Sequence, residues 1–267
     1  MSEPLWPKGW EQVGKRVRTA PGIALFADFD GTLSPLVADP REARVDRVTR
    51  GALARLARNP RTHVCVISGR RRDDLRARIA LPGLRYLGVH GADTGSASFG
   101  PPDFAPEVLT RVAQARRELA AQLNGTAGVH LEDKGLAFAL HYRGAQSGAV
   151  ERASDLLGGI IARSRGRLRV LRGNCVWEVL PCEVRNKGHA AWKQWRAWGL
   201  DTLAMYLGND STDEAAFQAL ASGITVRVGA ARGSKAHYSL RNPAEVRWFL
   251  IQLEKEMQWR LTPDSNS

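Results

Sequence analysis

A short apolar run near the start of the chain limits the fold more than any other feature. Residues 22–29 read Gly-Ile-Ala-Leu-Phe-Ala-Asp-Phe, so apolar side chains follow one another without polar alternation. A run of this length and kind is typical of a parallel strand that is buried on both faces. Because parallel strands need crossover connections, usually helices, we expect an α/β protein.

Strand and helix patterns alternate from residue 22 onward and resume after residue 186. The predicted strands are 22–29, 63–67, 85–89, 202–207 and 224–228, and the predicted helices are 46–58, 72–79, 188–198, 212–221 and 243–259. Such alternation predicts a doubly wound, Rossmann-like parallel sheet with helices on both faces.

The middle of the chain follows a different pattern. Helices are predicted at 106–123 and 148–163, and strands at 129–132, 136–143, 167–171 and 175–180, the last two joined by a turn at 172–174. Adjacent strands of this kind indicate an antiparallel sheet with its helices on one face. We therefore predict a core domain at 21–100 and 184–267, an inserted α+β domain at 101–183, which we call the cap domain, and an N-terminal segment at 1–20.

Charge and composition exclude several classes of protein. The chain has 39 Lys and Arg against 27 Asp and Glu, but the basic residues are spread along its whole length. This spread favours solvated faces over a nucleic-acid surface, although a nucleic-acid binder stays an alternative interpretation. No apolar run approaches the ~20 residues of a bilayer span, and three unrelated cysteines form neither a disulfide framework nor a zinc site. We expect a soluble, cytoplasmic monomer with no membrane or nucleic-acid partner.

Two carboxylates stand at the end of the first predicted strand. Asp28 and Asp30 are two residues apart, so their side chains can converge on one point. Carboxylates held so close repel unless a cation or proton intervenes, and oxygen-only ligands favour Mg²⁺. A turn alone would explain Asp30 and Gly31 but would leave the carboxylate of Asp28, within an apolar run, unexplained. Thr32 adds a hydroxyl and a backbone N–H for an anion.

Further short motifs follow along the chain. They are DFDGTLSPLV at 28–37, ISGR at 67–70, HGA at 90–92, EDK at 132–134, HYR at 141–143, NKG at 186–188 and LGNDSTDEAAF at 207–217. In this order they resemble the motifs of the haloacid dehalogenase superfamily, in the form found in trehalose-6-phosphate phosphatases. The resemblance covers about residues 22 to 230.

The resemblance implies an activity and the residues that perform it. It implies a Mg²⁺-dependent phosphatase that hydrolyses trehalose 6-phosphate to trehalose and phosphate through an aspartyl-phosphate intermediate. Asp28 would be the nucleophile, and Asp30 would protonate the leaving sugar oxygen and later activate water. Ser68 would hold a phosphoryl oxygen and Lys187 would neutralise charge, although each could also be an ordinary helix cap or a solvated cation.

The resemblance also implies a magnesium site and a sugar site. The implied metal ligands are Asp28, Asp30, Asn209 and Asp210, with Asp213 in support. The family's fourth motif begins Gly-Asp-Asp, whereas this chain has an amide, Asn209, in place of the first acid. We therefore expect weaker metal binding.

The implied substrate-binding residues are Thr32, Gly69, Arg70, His90, Glu132, Lys134, Arg143 and Glu178. Without the resemblance, Lys134 and Arg143 could be ordinary edge charges. The substrate is then a small sugar phosphate, with another glycosyl phosphate, such as glucosylglycerol or glucosylglycerate phosphate, as the alternative. A non-catalytic sugar-phosphate sensor is a further alternative, prompted by Asn209.

Overall fold

The chain forms two compact units. The computed structural model describes residues 3–5, 9–95, 106–173, 175–230 and 232–258. The core unit comprises residues 1–91 and 186–267, and the cap unit comprises residues 92–185. The predicted cap domain, 101–183, falls within the cap unit, which begins earlier, at Ala92. Among the described helices, none is long and apolar enough to cross a membrane.

The secondary structure agrees closely with the sequence patterns. In chain order the strands are β1 (Glu3–Pro4), β2 (Ile23–Ala27), β3 (Thr62–Ile67), β4 (Arg85–Leu87), β5 (His130–Asp133), β6 (Phe138–His141), β7 (Leu168–Gly173), β8 (Val176–Pro181), β9 (Leu203–Gly208), β10 (Ile224–Val228) and β11 (Tyr238–Leu240). The helices are α1 (Trp10–Thr19), α2 (Arg47–Arg58), α3 (Arg72–Ile79), α4 (Pro106–Leu123), α5 (Ser147–Arg163), α6 (Lys187–Trp198), α7 (Glu214–Ala219) and α8 (Pro243–Gln258). Residue 259, the predicted last residue of α8, lies outside the described residues.

A parallel sheet forms the centre of the core unit. Within the described residues its strand order is β1-β11-β10-β9-β2-β3-β4. Strand β2 is fully buried and pairs with β3 and β9, so that Ala27 stands beside Val66 and Leu207. Because all these strands are parallel, their carboxyl ends share one edge of the sheet. The predicted doubly wound α/β fold is confirmed.

Both faces of the sheet are covered by helices. Ile23 and Leu25 of β2 belong to an apolar cluster with residues of α1, α2, α3 and α8. Ala24 and Phe26, which point to the opposite face, belong to a second cluster with residues of α6 and α7. The continuous apolar run of the sequence therefore reflects burial on two faces.

The largest departures from the sequence patterns lie in the first 20 residues and at the edge of the sheet. We predicted a separate N-terminal segment, but β1 pairs with β11 and α1 packs its buried residues into the first cluster. Neither β1 nor β11 was predicted, because strands of two and three residues are too short to show periodicity.

Two predicted elements also end earlier than expected. Strand β4 stops at Leu87, because Val89 and His90 have φ angles of 47° and 57°, outside the β region. The helix predicted at 212–221 is a 3₁₀ turn at Ser211–Asp213 followed by the short α7.

The cap unit has an antiparallel sheet with the order β5-β6-β8-β7. Its apolar face packs against α4 and α5 through residues that include Phe138, Leu140, Trp177 and Val179. This arrangement confirms the α+β prediction. Of the predicted turn at 172–174, the first two residues belong to β7 and Asn174 lies outside the described residues.

The close contact between α6 and the first turn of α7 depends on Gly188. A Cβ atom at Gly188 would lie 2.2 Å from the backbone oxygen of Ala215, closer than any real contact. We predict that Gly188→Ala lowers the free energy of unfolding by about 1–3 kcal/mol, as overpacking does. The matched control is Gly51→Ala in α2, where the nearest atom is the mobile end of Arg55 at 3.2 Å. This control should be neutral or stabilising by up to about 1 kcal/mol. Urea unfolding measures both changes, and equal stability of the two variants contradicts the prediction.

Candidate active site

Three charged side chains meet in the interior at the carboxyl edge of the central sheet. The Lys187 ammonium lies 2.9 Å from Oδ1 of Asp28 and 2.9 Å from Oδ1 of Asp213. The three residues are 2%, 4% and 0% exposed, respectively. Burial of this degree excludes a solvated cation as the explanation for Lys187. A buried charge must be paired, and here each charge is.

Local structure brings these groups together. Asp28 directly follows β2, and its backbone N–H donates to the carbonyl of Leu207 in β9 over 2.9 Å. Lys187 is the first residue of α6, where the Asn186 side chain caps the helix by accepting from the His189 N–H. Asp213 ends the 3₁₀ turn that follows β9.

Besides pairing with Lys187, Asp213 holds the loop of the fourth motif at Asn209 and Asp210. Its Oδ2 accepts the backbone N–H groups of Asn209 and Asp210 at 2.9 and 3.0 Å. Its Oδ1 accepts the Tyr206 hydroxyl at 2.8 Å. Sequence reasoning missed Tyr206, because a tyrosine inside an apolar strand gives no sign that its hydroxyl is used.

The cluster carries more negative than positive charge. Burial raises the pKa of Asp28 well above its ordinary value, and the charges of Asp213 and Asp210 add to this effect against the opposing effect of Lys187. Burial acts to lower the pKa of Lys187, but the surrounding aspartates outweigh burial and raise this pKa well above its ordinary value. The neighbouring aspartates therefore favour the charged form of Lys187, and the surplus of carboxylates favours a further cation or a proton.

The oxygen atoms around Asn209 fit a magnesium ion. With its nitrogen turned toward them, the Asn209 amide donates to the backbone oxygen of Asp30 over 2.8 Å and to Oδ2 of Asp28 over 3.1 Å. With its oxygen turned toward them, three oxygen atoms converge, and such a group needs a cation between them. Carboxylate, backbone and amide oxygens are the ligands that Mg²⁺ accepts. In the described part of the chain, no group of three or more His, Cys, Asp or Glu side chains is arranged to hold a metal ion.

The side chains of Asp30 and Asp210 have other partners. Both oxygens of Asp30 accept from Arg70, at 2.7 Å each, so only its backbone oxygen faces Asn209. Asp210 Oδ1 caps the 3₁₀ turn by accepting the backbone N–H and hydroxyl of Thr212. Their roles as metal ligands stay predictions, and for Asp30 the backbone oxygen is the candidate atom.

Arg70, which belongs to the core unit, forms an ion pair with Asp30. Besides Asp30, its guanidinium contacts Asp74 at 3.0 Å and the carbonyl of Pro40 at 2.8 Å. Asp74 in turn accepts from Arg78 at 2.8 and 2.9 Å. The ISGR motif thus supplies a positioned arginine to Asp30, and direct binding of substrate by Arg70 stays a prediction.

The other predicted core residues lie at the ends of strands or just after them. Ser68 follows β3 and is 2% exposed, with its Oγ accepting the backbone N–H of Arg70 at 3.3 Å. Gly69 follows it and is half-buried. Thr32 is buried in the turn after Asp30, and His90 is buried in the turn after β4.

In the cap unit, three of the four predicted sugar ligands share one face of the sheet. The register places Glu132 opposite Ala139 and Ala139 opposite Glu178. Lys134, two residues beyond Glu132, lies 2.8 Å from Oε1 of Glu178. Arg143 is exposed in the turn after β6, so the structure does not group it with the other three.

Comparison with solved structures identifies the fold. The fold matches the C-terminal domain of trehalose-6-phosphate phosphatase from Candida albicans with a TM-score of 0.78 and 21% identity, over 96% of this chain and 98% of that one. It also matches a haloacid dehalogenase-like hydrolase from Bacteroides thetaiotaomicron with a TM-score of 0.57 and 15% identity, over 87% of this chain and 99% of that one. The fold is therefore that of the haloacid dehalogenase-like hydrolases.

Sequence comparison identifies the family to which the chain belongs. The family model described as trehalose-phosphatase matches residues 26–245. The chain is 36% identical to the trehalose-phosphate phosphatase of Mycobacterium avium, over 88% of this chain and 63% of that protein. It is 30% identical to probable trehalose-phosphate phosphatase 4 of Oryza sativa, over 92% of this chain and 68% of that protein. The chain belongs to the trehalose-phosphatase family, and it spans about three fifths of the mycobacterial relative's length.

The buried cluster should be sensitive to replacement of Asp213. We predict that Asp213→Asn lowers the free energy of unfolding by about 3 kcal/mol or more, because each of its two buried oxygens accepts two hydrogen bonds and the amide nitrogen would face donors in place of one oxygen. Tyr206→Phe removes one neutral donor from the same carboxylate and should cost only about 1 kcal/mol. Denaturant unfolding of both variants provides the measurement. If Asp213→Asn costs no more than Tyr206→Phe, the second carboxylate oxygen of Asp213 does not stabilise the fold.

Proposed function

We propose that this protein hydrolyses trehalose 6-phosphate to trehalose and inorganic phosphate through an aspartyl-phosphate intermediate, with Mg²⁺ as cofactor. The observation that carries the proposal is the buried Asp28, held on Lys187 at the carboxyl edge of the sheet. Membership of the trehalose-phosphatase family supports the reaction, and the names of the mycobacterial and rice relatives support the substrate.

Asp28 is the proposed nucleophile. Its carboxylate oxygen forms a bond to phosphorus while the bond between phosphorus and the sugar oxygen breaks, so that the phosphoryl group moves to Asp28. Lys187 stays protonated and offsets negative charge on Asp28 and on the transferred group. Ser68 follows β3, the strand that pairs with β2, and its hydroxyl can hold a phosphoryl oxygen.

Asp30 is the proposed acid and base. In its protonated form it gives a proton to the departing sugar oxygen, which would otherwise leave as a strongly basic alkoxide, and it becomes a carboxylate. It then takes a proton from the water that attacks phosphorus and releases phosphate from Asp28. Arg70 donates one hydrogen bond to each Asp30 oxygen, and each oxygen has a second lone-pair position at which a proton can be held or taken up.

The proposed metal ligands are Asp28, the backbone oxygen of Asp30, and Asn209, with Asp210 nearby. When bound, Mg²⁺ would supply positive charge to the phosphoryl oxygens and to the surplus carboxylates. Two of these three ligands carry no net charge, which favours weaker binding than a site with a second carboxylate.

Glu132, Lys134, Glu178 and Arg143 are the proposed sugar ligands. Glu132 and Glu178 would accept hydrogen bonds from sugar hydroxyls. The pKa of Glu132 supports this role: burial acts to raise it, but the hydrogen bond from His141 and the charge of Lys134 lower it. An ionised carboxylate offers only acceptors, as a polyhydroxylated ligand requires.

Phosphate release from a panel of sugar phosphates, with and without Mg²⁺, tests the proposal. We expect Mg²⁺-dependent turnover, fastest with trehalose 6-phosphate. Faster turnover of glucosylglycerol phosphate or glucosylglycerate phosphate would replace the substrate but keep the chemistry. Binding of sugar phosphate without turnover at any Mg²⁺ concentration would identify a sensor and refute the enzymatic proposal.

The nucleophile is tested by Asp28→Asn. The amide is nearly isosteric but cannot form the acyl phosphate, so turnover should fall by about a thousandfold or more. Phosphate release gives the rate, and circular dichroism checks that the fold is retained. More than about a tenth of the original activity would remove Asp28 from this role.

The amide in the metal site is tested by Asn209→Asp. A second carboxylate should tighten Mg²⁺ binding by about tenfold, and Asp210→Asn should weaken binding if Asp210 supplies part of the charge. Calorimetry measures affinity directly and avoids confusion with slower turnover, which added negative charge could cause by repelling phosphate. Unchanged affinity in both variants would place the metal elsewhere.

The sugar ligands are tested by Glu132→Ala and Arg143→Ala. Each should reduce kcat/KM for trehalose 6-phosphate by about tenfold or more and leave p-nitrophenyl phosphate nearly unaffected, because the small aryl ester makes no sugar contacts. Steady-state kinetics with both substrates separate the two effects. Equal losses would assign these residues to the chemistry or to the fold.

A further inference from the structure

A histidine on the polar face of the cap sheet contacts one of the proposed sugar ligands. His141 Nε2 lies 2.9 Å from Oε2 of Glu132. His141 ends β6 and stands opposite His130, while Glu132 stands opposite Ala139. The two residues are therefore diagonal neighbours on one face, within reach of long side chains.

The small side chain of Ala139 makes this contact possible. Ala139 lies between Glu132 and Glu178 across three strands, and its methyl group leaves room above it for longer side chains. His141 engages one of these acids, Glu132, and Lys134 engages the other, Glu178. Each proposed acceptor on this face is thus fixed by its own basic residue.

The contact uses one of the two Glu132 oxygens. Oε2 accepts from His141, which requires that Nε2 carry the hydrogen atom. From the residues that the structure describes, Oε1 accepts no hydrogen bond. The terminal torsion of a glutamate is otherwise broad, so anchoring Oε2 sets the direction in which Oε1 points.

We propose that His141 is a positioning residue for sugar recognition: it anchors Oε2 of Glu132 so that Oε1 is presented to a hydroxyl of the sugar. The inference rests on the proposed function, because it takes Glu132 as a sugar ligand. A carboxylate ordered before the substrate arrives binds more tightly, since less conformational freedom is lost on binding. His141 has no part in phosphoryl transfer, so we expect loss of its side chain to raise KM and to leave kcat nearly unchanged.

Three variants test the role of His141. His141→Leu removes the donor, and His141→Gln keeps an amide donor near the position of Nε2. His130→Leu is the matched control, because its ring stands on the same face, 6.2 Å from the His141 ring centroid. Kinetics with trehalose 6-phosphate and with p-nitrophenyl phosphate are compared for each.

We expect His141→Leu to raise KM for trehalose 6-phosphate by about three- to tenfold, the cost of ordering one flexible side chain on binding, with little change in kcat. His141→Gln should recover most of this loss, and His130→Leu should resemble the unaltered protein. Kinetics with the aryl phosphate should not change. An unchanged KM in His141→Leu, no recovery in His141→Gln, or an equal loss with the aryl phosphate overturns the proposal.

A spectroscopic measurement separates this proposal from the proposed function. Nitrogen-15 spectra of the histidine rings report which ring nitrogen carries hydrogen, and His141→Gln identifies the signal. We expect the Nε2–H form for His141, lost in part in Glu132→Gln. If the unaltered protein shows this form but hydrolyses no glycosyl phosphate, the proposed function fails and the contact stands. If the signal does not respond to Glu132→Gln, the positioning role itself is refuted.

Discussion

The buried ammonium of Lys187 is the interaction on which the rest of the core unit depends. Removing a charge from water costs several kcal/mol, so Lys187 requires carboxylates at close range. Asp28 and Asp213 provide them at 2.9 Å each. Because these residues come from the end of β2, the start of α6 and the turn after β9, one cation links three separate parts of the chain.

Asp213 extends this link to the loop that carries Asn209. A single carboxylate accepts from Lys187, Tyr206 and two backbone N–H groups, so the position of the loop is set by the same charge that pairs with Lys187. Asp213 therefore orients both the Lys187 ammonium, which offsets the charge of the proposed nucleophile, and the loop of Asn209, which is proposed to bind the metal. Preorganisation of this kind avoids reorganisation during the reaction.

Much of this arrangement could be predicted from the sequence, because the signals are local. The apolar run before Asp28 and the strand-helix alternation define the sheet, and parallel strands necessarily bring Asp28, Ser68 and Gly208 to one edge. The pairing of Arg70 with Asp30 and the use of the Tyr206 hydroxyl could not be predicted, because each depends on a contact between residues that only the folded chain brings together. Strands β1 and β11 were missed because two or three residues carry no period.

The central position of β2 in the sheet has a consequence for synthesis of the protein. One edge of β2 pairs with β3, which follows soon after it, but the other edge pairs with β9, which is made only after the whole cap unit. While the ribosome translates the cap, a fully apolar strand is left with an open edge and an uncovered face. Such an edge readily pairs with other chains. Newly made chains are thus most exposed to aggregation during translation of the cap, and folding of the core is completed only after the elements from α6 to α8 emerge.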